Sequence, residues 1–335
     1  MNQVRIGLVG CGLFGESHLM GFRAVPGAEV AAVYDVDSAR AREMARVFSI
    51  PRVCDSLGEL CSLGELDAVD VVTPEELHLE PVMKAIEHGK HVFVEKPLAT
   101  DLEHCSRMIR AANGAGRILM VGQLVRFETK AAMLKDEVAS GKLGNVVSMH
   151  ARRNRPKALL ERYGRTHPVV ENSIHDIDLM LWYTGRPVRR VRGYDRKAIA
   201  TRHADTFWGI IEFEGGPIGV VETIWLLPKP AGVLLDDAFQ LIGDQGIANM
   251  ALFPGSLSFW RDTGFDIPDI GYDPRVHGAA LGALRDELAY FCDCVRGGRM
   301  PEIITAVEAK NAVRVAMALM ESARLDQDVE IKSWD

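Results

Sequence analysis

The chain has 335 residues, of which 47% are hydrophobic and 25% charged, and its formal net charge is −7. This length predicts two domains, and this composition predicts buried cores rather than an intrinsically disordered chain. The negative charge and the lack of a long Lys/Arg run argue against a nucleic-acid-binding protein and against electrostatic binding to a membrane surface.

Cysteine spacing and hydropathy predict the cellular compartment. The six cysteines are scattered and form no C-x-x-C pair, which is typical of reduced, buried thiols in a cytosolic protein. The first residues lack the long apolar region of a secretory signal, and no stretch approaches the roughly 20 apolar residues of a membrane span. We therefore expect a cytoplasmic protein that makes no contact with membranes.

Strand-like and helix-like segments alternate over the first part of the chain. The predicted strands are Val4–Val9, Glu29–Tyr34, Ala68–Val72, His91–Val94 and Ile118–Val121, and the predicted helices are Glu16–Val25, Ser38–Phe48, Leu79–His88 and Leu102–Ala112. This alternation predicts an α/β fold with a parallel, doubly wound sheet, the Rossmann type of dinucleotide-binding domain, over residues 1–123.

Beyond residue 123, strand-like runs follow one another with few helices between them. The predicted strands are Val146–Arg153, Val188–Tyr194, Thr206–Glu214, Ile218–Trp225 and Phe239–Ile242, and the predicted helices are Ala131–Ser140, Glu171–Tyr183, Leu281–Val295 and Ala306–Ser322. Such runs predict an α+β domain over residues 124–335 with a large, mostly antiparallel open sheet.

The first predicted strand ends in the motif G-x-G-x-x-G, formed by Gly10, Gly12 and Gly15, and a helix follows it. In this context Gly10 permits a tight turn, Gly12 lets the backbone approach a pyrophosphate, and Gly15 permits close packing of helix and strand. The loop also contains Leu13 and Phe14, at the N-terminus of the helix, whose N–H groups attract anions. The motif predicts a dinucleotide site.

A carboxylate predicts which dinucleotide binds there. Asp35 lies 20 residues beyond Gly15, at the end of the second predicted strand. A carboxylate at this position accepts hydrogen bonds from ribose hydroxyls and repels a 2′-phosphate, so NAD is favoured over NADP. Two neighbours keep the preference open, because Asp37 could share the task of Asp35 and Arg40 could accept a phosphate.

Two further predicted strands are followed by candidate site residues. Thr73 and Pro74 follow the third predicted strand, where they would face the dinucleotide; the alternative is a plain strand-terminating turn. Lys96 follows the fourth strand and could direct its ammonium group at a substrate oxygen. The alternative there is a surface lysine near a turn.

Three titratable residues are aligned on one predicted helix of the second domain. Glu171, His175 and Asp178 have the spacing i, i+4, i+7, which places them on one stripe, separate from an apolar stripe. His175 is the best candidate proton carrier, because the reference pKa of histidine, about 6.5, lies near working pH. The alternative is a solvated polar face with Glu–His pairing.

The segment Gly89–Ala99, with Glu95-Lys96-Pro97 inside it, resembles the signature of the glucose–fructose oxidoreductase/inositol dehydrogenase/MocA-type (Gfo/Idh/MocA) family. The glycine motif, Thr73-Pro74-x-x-x-His78 and His175-Asp176-Ile177-Asp178 occur in the family's order, and Arg153-Asn154 with Pro156 is similar to its inositol-dehydrogenase-like branch. The resemblance covers essentially the whole chain.

The resemblance implies an NAD(P)-dependent dehydrogenase acting on CH–OH groups of a polyol, sugar or sugar derivative, such as an inositol or a nucleotide sugar. It implies a cis Lys96–Pro97 peptide, and a second domain that binds the substrate and joins subunits into a homodimer or homotetramer. The implied cofactor contacts include Thr73, Pro74, His78, Glu95, Lys96 and Gln123. The implied substrate contacts are Lys96, Glu171, His175 and Asp178. Arg153 is a further candidate for a substrate contact, with a surface or interdomain residue as the alternative.

In the mechanism that these assignments imply, His175 accepts the hydroxyl proton as hydride leaves, and Lys96 stabilises the developing alkoxide. Glu171 or Asp178 orients the imidazole or binds a neighbouring hydroxyl. No metal is predicted, because the lysine supplies the positive charge. Glu171 stands where the family usually has aspartate, which leaves its reach and role open.

Two other functions are compatible with these residues. Bound NAD can oxidise a sugar transiently and so assist elimination or glycosidic cleavage without net redox change, as in a lyase or glycosidase. A non-catalytic NAD sensor is the third possibility, and intact Lys96 and His175 argue against it. The arginines 152, 153 and 155 hint at a negatively charged substrate.

Overall fold

The computed structural model describes residues 3–199, 202–228, 235–253, 257–261 and 264–334. The chain forms two compact units, one of Met1–Phe127 with Tyr272–Lys310 and the other of Glu128–Gly271 with Asn311–Asp335. The boundary expected from the sequence lies at residue 123, whereas the first unit extends to Phe127 and also takes up Tyr272–Lys310.

The helices, in chain order, are α1 Leu13–Arg23, α2 Ser38–Phe48, α3 Leu57–Ser62, α4 Leu79–Glu87, α5 Leu102–Ala115, α6 Thr129–Ala139, α7 Leu160–Tyr163, α8 Ile174–Thr184, α9 Ala283–Gly297 and α10 Ala306–Leu325. A π-helical turn, Val169–Ser173, precedes α8. The side chains of Asp37, Ser56 and Asp101 accept hydrogen bonds from N–H groups of the first turn and so set where α2, α3 and α5 begin.

The strands are β1 Val4–Val9, β2 Ala28–Tyr34, β3 Arg52–Val53, β4 Ala68–Val71, β5 His91–Glu95, β6 Leu119–Gly122, β7 Val146–Asn154, β8 Val188–Arg196, β9 Thr206–Phe213, β10 Ile218–Ile224, β11 Asp236–Gly243, β12 Ile247–Phe253, β13 Phe259–Arg261, β14 Gly264–Asp266, β15 Arg275–Val276, β16 Ala279–Ala280 and β17 Val329–Glu330. The pairs β13–β14 and β15–β16 each form a small two-stranded sheet.

The first unit contains a six-stranded parallel sheet in the order β3-β2-β1-β4-β5-β6. The chain passes from β1 outward to β3, then crosses back to β4 and continues outward to β6. The crossing makes the carboxyl edge between β1 and β4 the topological switch point, where doubly wound sheets bind their ligands. The predicted Rossmann-type sheet is confirmed.

The helix α9 packs on the first unit. The ring of Phe291 lies 5.5 Å from that of Phe93 on β5, and a Cβ added to Gly21 of α1 would lie 2.7 Å from Leu288 Cδ1. The apolar face of α9 is visible in the sequence, but the surface that it covers is not, because amphipathicity does not specify a partner.

The second unit contains a seven-stranded sheet in the order β12-β11-β7-β10-β9-β8-β17. All its pairs are antiparallel except β7–β10, as predicted for a mostly antiparallel sheet. Along β9, Phe207, Ile211 and Phe213 are buried, whereas Trp208 and Ile210 are exposed. The sheet therefore has one covered and one open face.

Glycines on the covered face let helices approach it closely. A Cβ added to Gly193 would lie 2.3 Å from the carbonyl oxygen of Leu319 in α10, and one added to Gly219 would lie 2.6 Å from Met180 Sδ in α8. The predicted helix near Glu171–Tyr183 is thus held directly on the sheet through α8.

Candidate active site

The glycine turn has the shape that its motif predicts. Gly10 has φ +101°, and an added Cβ would lie 2.6 Å from Val72 O. A Cβ on Gly15 would lie 2.1 Å from Gly10 O, so helix and strand meet in direct backbone contact. Around a Cβ on Gly12, the N-cap of α1, nothing lies within 4 Å. Gly12 therefore faces open space where a pyrophosphate can approach the backbone.

Helix α1 begins at Leu13, before the third glycine, rather than at Glu16 as expected from the sequence. Leu13 and Phe14 are its first two residues, and their side chains are exposed. Their N–H groups belong to the first turn, which has no intrahelical acceptors, and thus belong to the anion-binding end of the helix.

Asp35 is tied to the glycine turn. Its Oδ2 accepts a hydrogen bond from Cys11 N at 2.6 Å, and its Oδ1 accepts one from Asp37 N at 2.8 Å. Asp37 does not share this position, because its carboxylate is the N-cap of α2. Arg40 donates from Nε to Cys11 O and pairs with Glu16 and Glu43, each at 2.7 Å. The carboxylates around this guanidinium oppose an additional phosphate, in keeping with NAD.

Two side chains at the carboxyl edge have buried polar atoms that lack partners within the described chain. The hydroxyl of Thr73, after β4, has no hydrogen-bond partner there, and neither has the amide of Gln123, after β6, which is 1% exposed. Buried polar groups require partners. Ribose hydroxyls and a carboxamide offer matching donors and acceptors, so the turn, Asp35 and these two side chains fit a nicotinamide dinucleotide.

His78 connects two turns of this edge. Its Nδ1 lies 2.9 Å from Pro97 O, its Nε2 lies 3.0 Å from Thr73 O, and the ring is buried. Both ring nitrogens therefore face backbone carbonyls of the unit. This geometry favours a bracing role for His78 over the direct cofactor contact expected from the family resemblance.

Lys96 directly follows β5, whose neighbours in the sheet are β4, which is followed by Thr73 and Pro74, and β6, which is followed by Gln123. The Lys96–Pro97 peptide is cis, as the resemblance implies. The backbone N–H of Lys96 donates to Glu95 Oε2 at 3.1 Å. Glu95 is itself buried, so its carboxylate stabilises the turn from within the unit.

A buried group that sequence reasoning missed lies behind this turn. His18 of α1 lies between Asp70 on β4 and Glu95 on β5. The signal in the sequence is Asp70, a carboxylate inside the otherwise apolar strand Ala68–Val71, because a charged residue in a doubly covered strand requires a partner.

In the second unit, Glu171 and His175 do not share one regular helix. Glu171 lies in the π-helical turn, whereas His175 and Asp178 lie in α8. A π turn bonds i to i+5 rather than i to i+4, so the hydrogen-bond pattern changes between Glu171 and His175. His175 and Asp178 are buried and Glu171 is half-buried.

Arg153 is buried between two carboxylates. Its Nε and Nη2 donate to the two oxygens of Asp176 at 3.0 and 2.8 Å, and its Nη1 donates to Asp237 Oδ2 at 2.9 Å. Asp176 adjoins His175 on α8, so Arg153 connects that helix to β7 and β11. This arrangement favours a positioning role for Arg153 over the substrate contact expected from the sequence.

The two neighbouring arginines are also ion-paired. Arg152 contacts Asp236 at 2.9 Å, and Arg155 contacts Asp237 at 2.5 Å. Carboxylates of the same unit thus neutralise the positive charge of this stretch. The three arginines therefore no longer indicate a negatively charged substrate.

The described residues contain no group of three or more His, Cys, Asp or Glu side chains arranged to hold a metal ion. None of the helices in the described ranges combines the length and the apolar character needed to cross a bilayer.

Comparison with known proteins gives the family. Residues 4–123 match the family model described as an oxidoreductase family with an NAD-binding Rossmann fold, and residues 131–249 match the GFO/IDH/MocA C-terminal domain. The scyllo-inositol 2-dehydrogenase (NAD(+)) of Bacillus subtilis is 29% identical over 98% of this chain and 97% of its own. Inositol 2-dehydrogenase 2 of Saccharopolyspora erythraea is 31% identical over 84% of this chain and 83% of its own.

Among solved structures, scyllo-inositol dehydrogenase from Lactobacillus casei with bound NAD(H) and scyllo-inositol has a TM-score of 0.86 at 20% identity, over 99% of this chain and 100% of that one. Two family models in sequence order and a 31% identical relative over most of the chain agree with the fold and the glycine turn. The chain belongs to the Gfo/Idh/MocA family of NAD-binding oxidoreductases.

Proposed function

We propose that this protein is an NAD-dependent dehydrogenase that oxidises a secondary alcohol of a polyol or sugar, with an inositol as the first candidate substrate. The observation that carries the proposal is the position of Lys96, which follows β5 at the same carboxyl edge of the sheet as the glycine turn and Gln123. Relatives named as inositol dehydrogenases support the substrate class.

The cofactor side is assigned to the first unit. Gly10, Gly12 and Gly15, with the N–H groups of Leu13 and Phe14, receive the pyrophosphate. Asp35 accepts from the adenosine ribose, and Thr73, Pro74, Glu95, Lys96 and Gln123 surround the nicotinamide half. When bound, NAD supplies the hydride acceptor.

The chemistry of the substrate is assigned to a few side chains. His175 accepts the hydroxyl proton, since histidine is the side chain that most often serves as a general base in enzymes. The ammonium of Lys96 stabilises the negative charge that develops on the oxygen. Glu171 and Asp178 bind neighbouring hydroxyls or orient the imidazole.

The substrate is a neutral polyol rather than an anion. The pairing of arginines 152, 153 and 155 with carboxylates leaves the second unit without an evident anion-binding cluster among those residues. Arg153 is assigned to the positioning of α8 rather than to direct contact with the substrate.

The protein is proposed to act in the cytoplasm as a homodimer or homotetramer. The open face of the second sheet supports this, because apolar side chains there are exposed; they include Tyr194, Trp208, Ile210 and Ile218. Contiguous exposed apolar surface of this kind marks interfaces between subunits.

The test is NADH production, followed by absorbance, with NAD and NADP compared across inositols, aldoses, sugar acids and nucleotide sugars. The proposal predicts turnover with NAD and a neutral polyol. Tight NAD binding without NADH production from any of these compounds would instead indicate a redox-neutral lyase or glycosidase, or an NAD sensor.

A further inference from the structure

His18 is a fully buried histidine of the first unit with a carboxylate at each ring nitrogen. Its Nδ1 lies 2.9 Å from Asp70 Oδ2, and its Nε2 lies 3.3 Å from Glu95 Oε1. The rings of Phe14, Phe22 and Phe93 surround it, with centroids 5.0 to 6.5 Å away. The imidazole and its partners are therefore enclosed by apolar groups.

Two carboxylates in such surroundings require a cation. Burial alone lowers the pKa of His18, but Asp70 and Glu95 outweigh it and raise the pKa to about 10. Nδ1 is hydrogen-bonded to Asp70, whereas Nε2 lies within ion-pair distance of Glu95 Oε1 without a hydrogen bond between them. The ring thus places a polar nitrogen beside each carboxylate.

Glu95 carries this interaction to the turn after β5. Its Oε1 faces His18, and its Oε2 accepts the backbone N–H of Lys96. On the neighbouring strand, a Cβ added to Gly122 would lie 2.3 Å from Glu95 Oε1, so glycine leaves room for the carboxylate in this position. One side chain therefore joins His18 to the backbone of Lys96.

We infer that His18 is a positioning residue for Lys96, which it holds in place through Glu95. The inference rests on the proposed catalytic role of Lys96. His18 lies three residues beyond Gly15, on the helix that begins at the dinucleotide turn. The same helix thus presents N–H groups to the cofactor and fixes the end of the strand that carries Lys96.

Two matched substitutions separate the contacts of His18. The amide nitrogen of asparagine reaches the position of Nδ1, and that of glutamine reaches the position of Nε2. His18→Asn therefore keeps a donor for Asp70 and loses the group beside Glu95, whereas His18→Gln keeps a polar N–H group beside Glu95.

We expect kcat of His18→Asn to fall about 100-fold, the effect of a misplaced catalytic group, with KM and the Kd of NADH changed less than about 3-fold. In His18→Gln, kcat should recover to within about 10-fold of the wild-type value. Equal losses of kcat in both variants, in proportion to their loss of thermal stability, would overturn the inference in favour of a purely structural role.

Hydrogen exchange of the Lys96 backbone amide provides a readout that needs no substrate. Its N–H donates to Glu95, so exchange should accelerate in His18→Asn and stay near the wild-type rate in His18→Gln. An unchanged rate in His18→Asn refutes the link. If the wild-type protein oxidised no polyol, the proposed function would fail while this measurement still decided the role of His18.

Discussion

Arg153 and Asp176 form a buried ion pair in which two guanidinium nitrogens bind the two oxygens of one carboxylate, at 3.0 and 2.8 Å. The pair joins β7 to the first turn of α8, and Asp237 of β11 binds the same guanidinium. His175, the proposed proton acceptor, directly precedes Asp176 in α8. The ion pair therefore anchors this helix to the sheet next to His175.

The first prediction concerns Arg153→Met. Loss of the guanidinium leaves Asp176 and Asp237 buried without their counter-ion, which should destabilise the second unit by about 3–5 kcal/mol. Denaturant unfolding followed by tryptophan fluorescence measures this, because all five tryptophans (182, 208, 225, 260 and 334) belong to the second unit.

Arg152→Met is the matched control for this experiment. The pair Arg152–Asp236 is partly exposed, and its loss should cost less than about 1 kcal/mol. If Arg153→Met raised KM for the polyol and left the free energy of unfolding unchanged, Arg153 would be a substrate ligand after all.

The second prediction concerns the glycine turn. Gly15→Ala forces a Cβ against a backbone oxygen and should cost about 1–3 kcal/mol of stability, with loss of NADH binding. Gly12→Ala meets no protein atom and should cost less than about 1 kcal/mol. Its methyl group occupies the space of the pyrophosphate, so NADH affinity should still fall about 10-fold or more.

Thermal unfolding and NADH fluorescence titration distinguish these outcomes. Gly114→Ala, in α5 with nothing within 4 Å of its Cβ, serves as control and should leave NADH affinity unchanged. Wild-type NADH affinity in Gly12→Ala would show that the pyrophosphate does not approach this turn.

The third prediction concerns cofactor choice. Asp35→Ser removes the carboxylate that opposes a 2′-phosphate, so the ratio of kcat/KM for NAD to that for NADP should fall by about 10-fold or more. Asp37→Asn is the control, because asparagine also caps a helix and the ratio should stay constant. An equal shift in both variants would contradict the assignment of Asp35.

The fourth prediction concerns acid sensitivity of the second unit. Burial lowers the pKa of His167 to about 4, although Asp195 lies 3.6 Å away. A histidine whose pKa is depressed by folding stabilises the fold above its unfolded pKa of about 6.5, and this contribution is lost as pH falls towards 4. The loss should reach up to about 3 kcal/mol.

Tryptophan fluorescence during urea unfolding, at about pH 7 and about pH 4.5, measures the effect through the linkage between protonation and stability. His167→Phe should show a smaller decrease in stability on acidification than the wild type, whereas His88→Gln, at an exposed site, should behave like the wild type. The same acid-induced decrease in His167→Phe as in the wild type would exclude His167 as the cause.

Local patterns were sufficient to predict the first sheet and its turn. Alternating strands and helices identify a doubly wound sheet, and Gly10, Gly12 and Gly15 have physical requirements that are visible in their spacing. Asp35 follows from the same reasoning, because the end of the second strand has a fixed place relative to the turn.

Long-range pairing explains what the sequence did not reveal. Arg153 stands in a basic stretch of the sequence, and only the fold brings Asp176 and Asp237 to it. The π turn before α8 cannot be recognised from helical periodicity either. One inserted residue at this place looks in the sequence like the ordinary start of a helix. The pairing of His18 is not visible in the sequence, because Asp70 and Glu95 lie far from it along the chain.

The proposed joint action of Lys96 and His175 on one substrate is tested by a double-mutant cycle on kcat for NAD-dependent oxidation of the best polyol. We predict that Lys96→Ala and His175→Ala each lower kcat by at least about 100-fold, and that the double variant loses far less than the product, because the two residues act as a unit. Lys332→Ala, at an exposed site, should leave kcat unchanged. Wild-type kcat in either single variant, or fully multiplicative losses in the double variant, would contradict the joint action of these two residues.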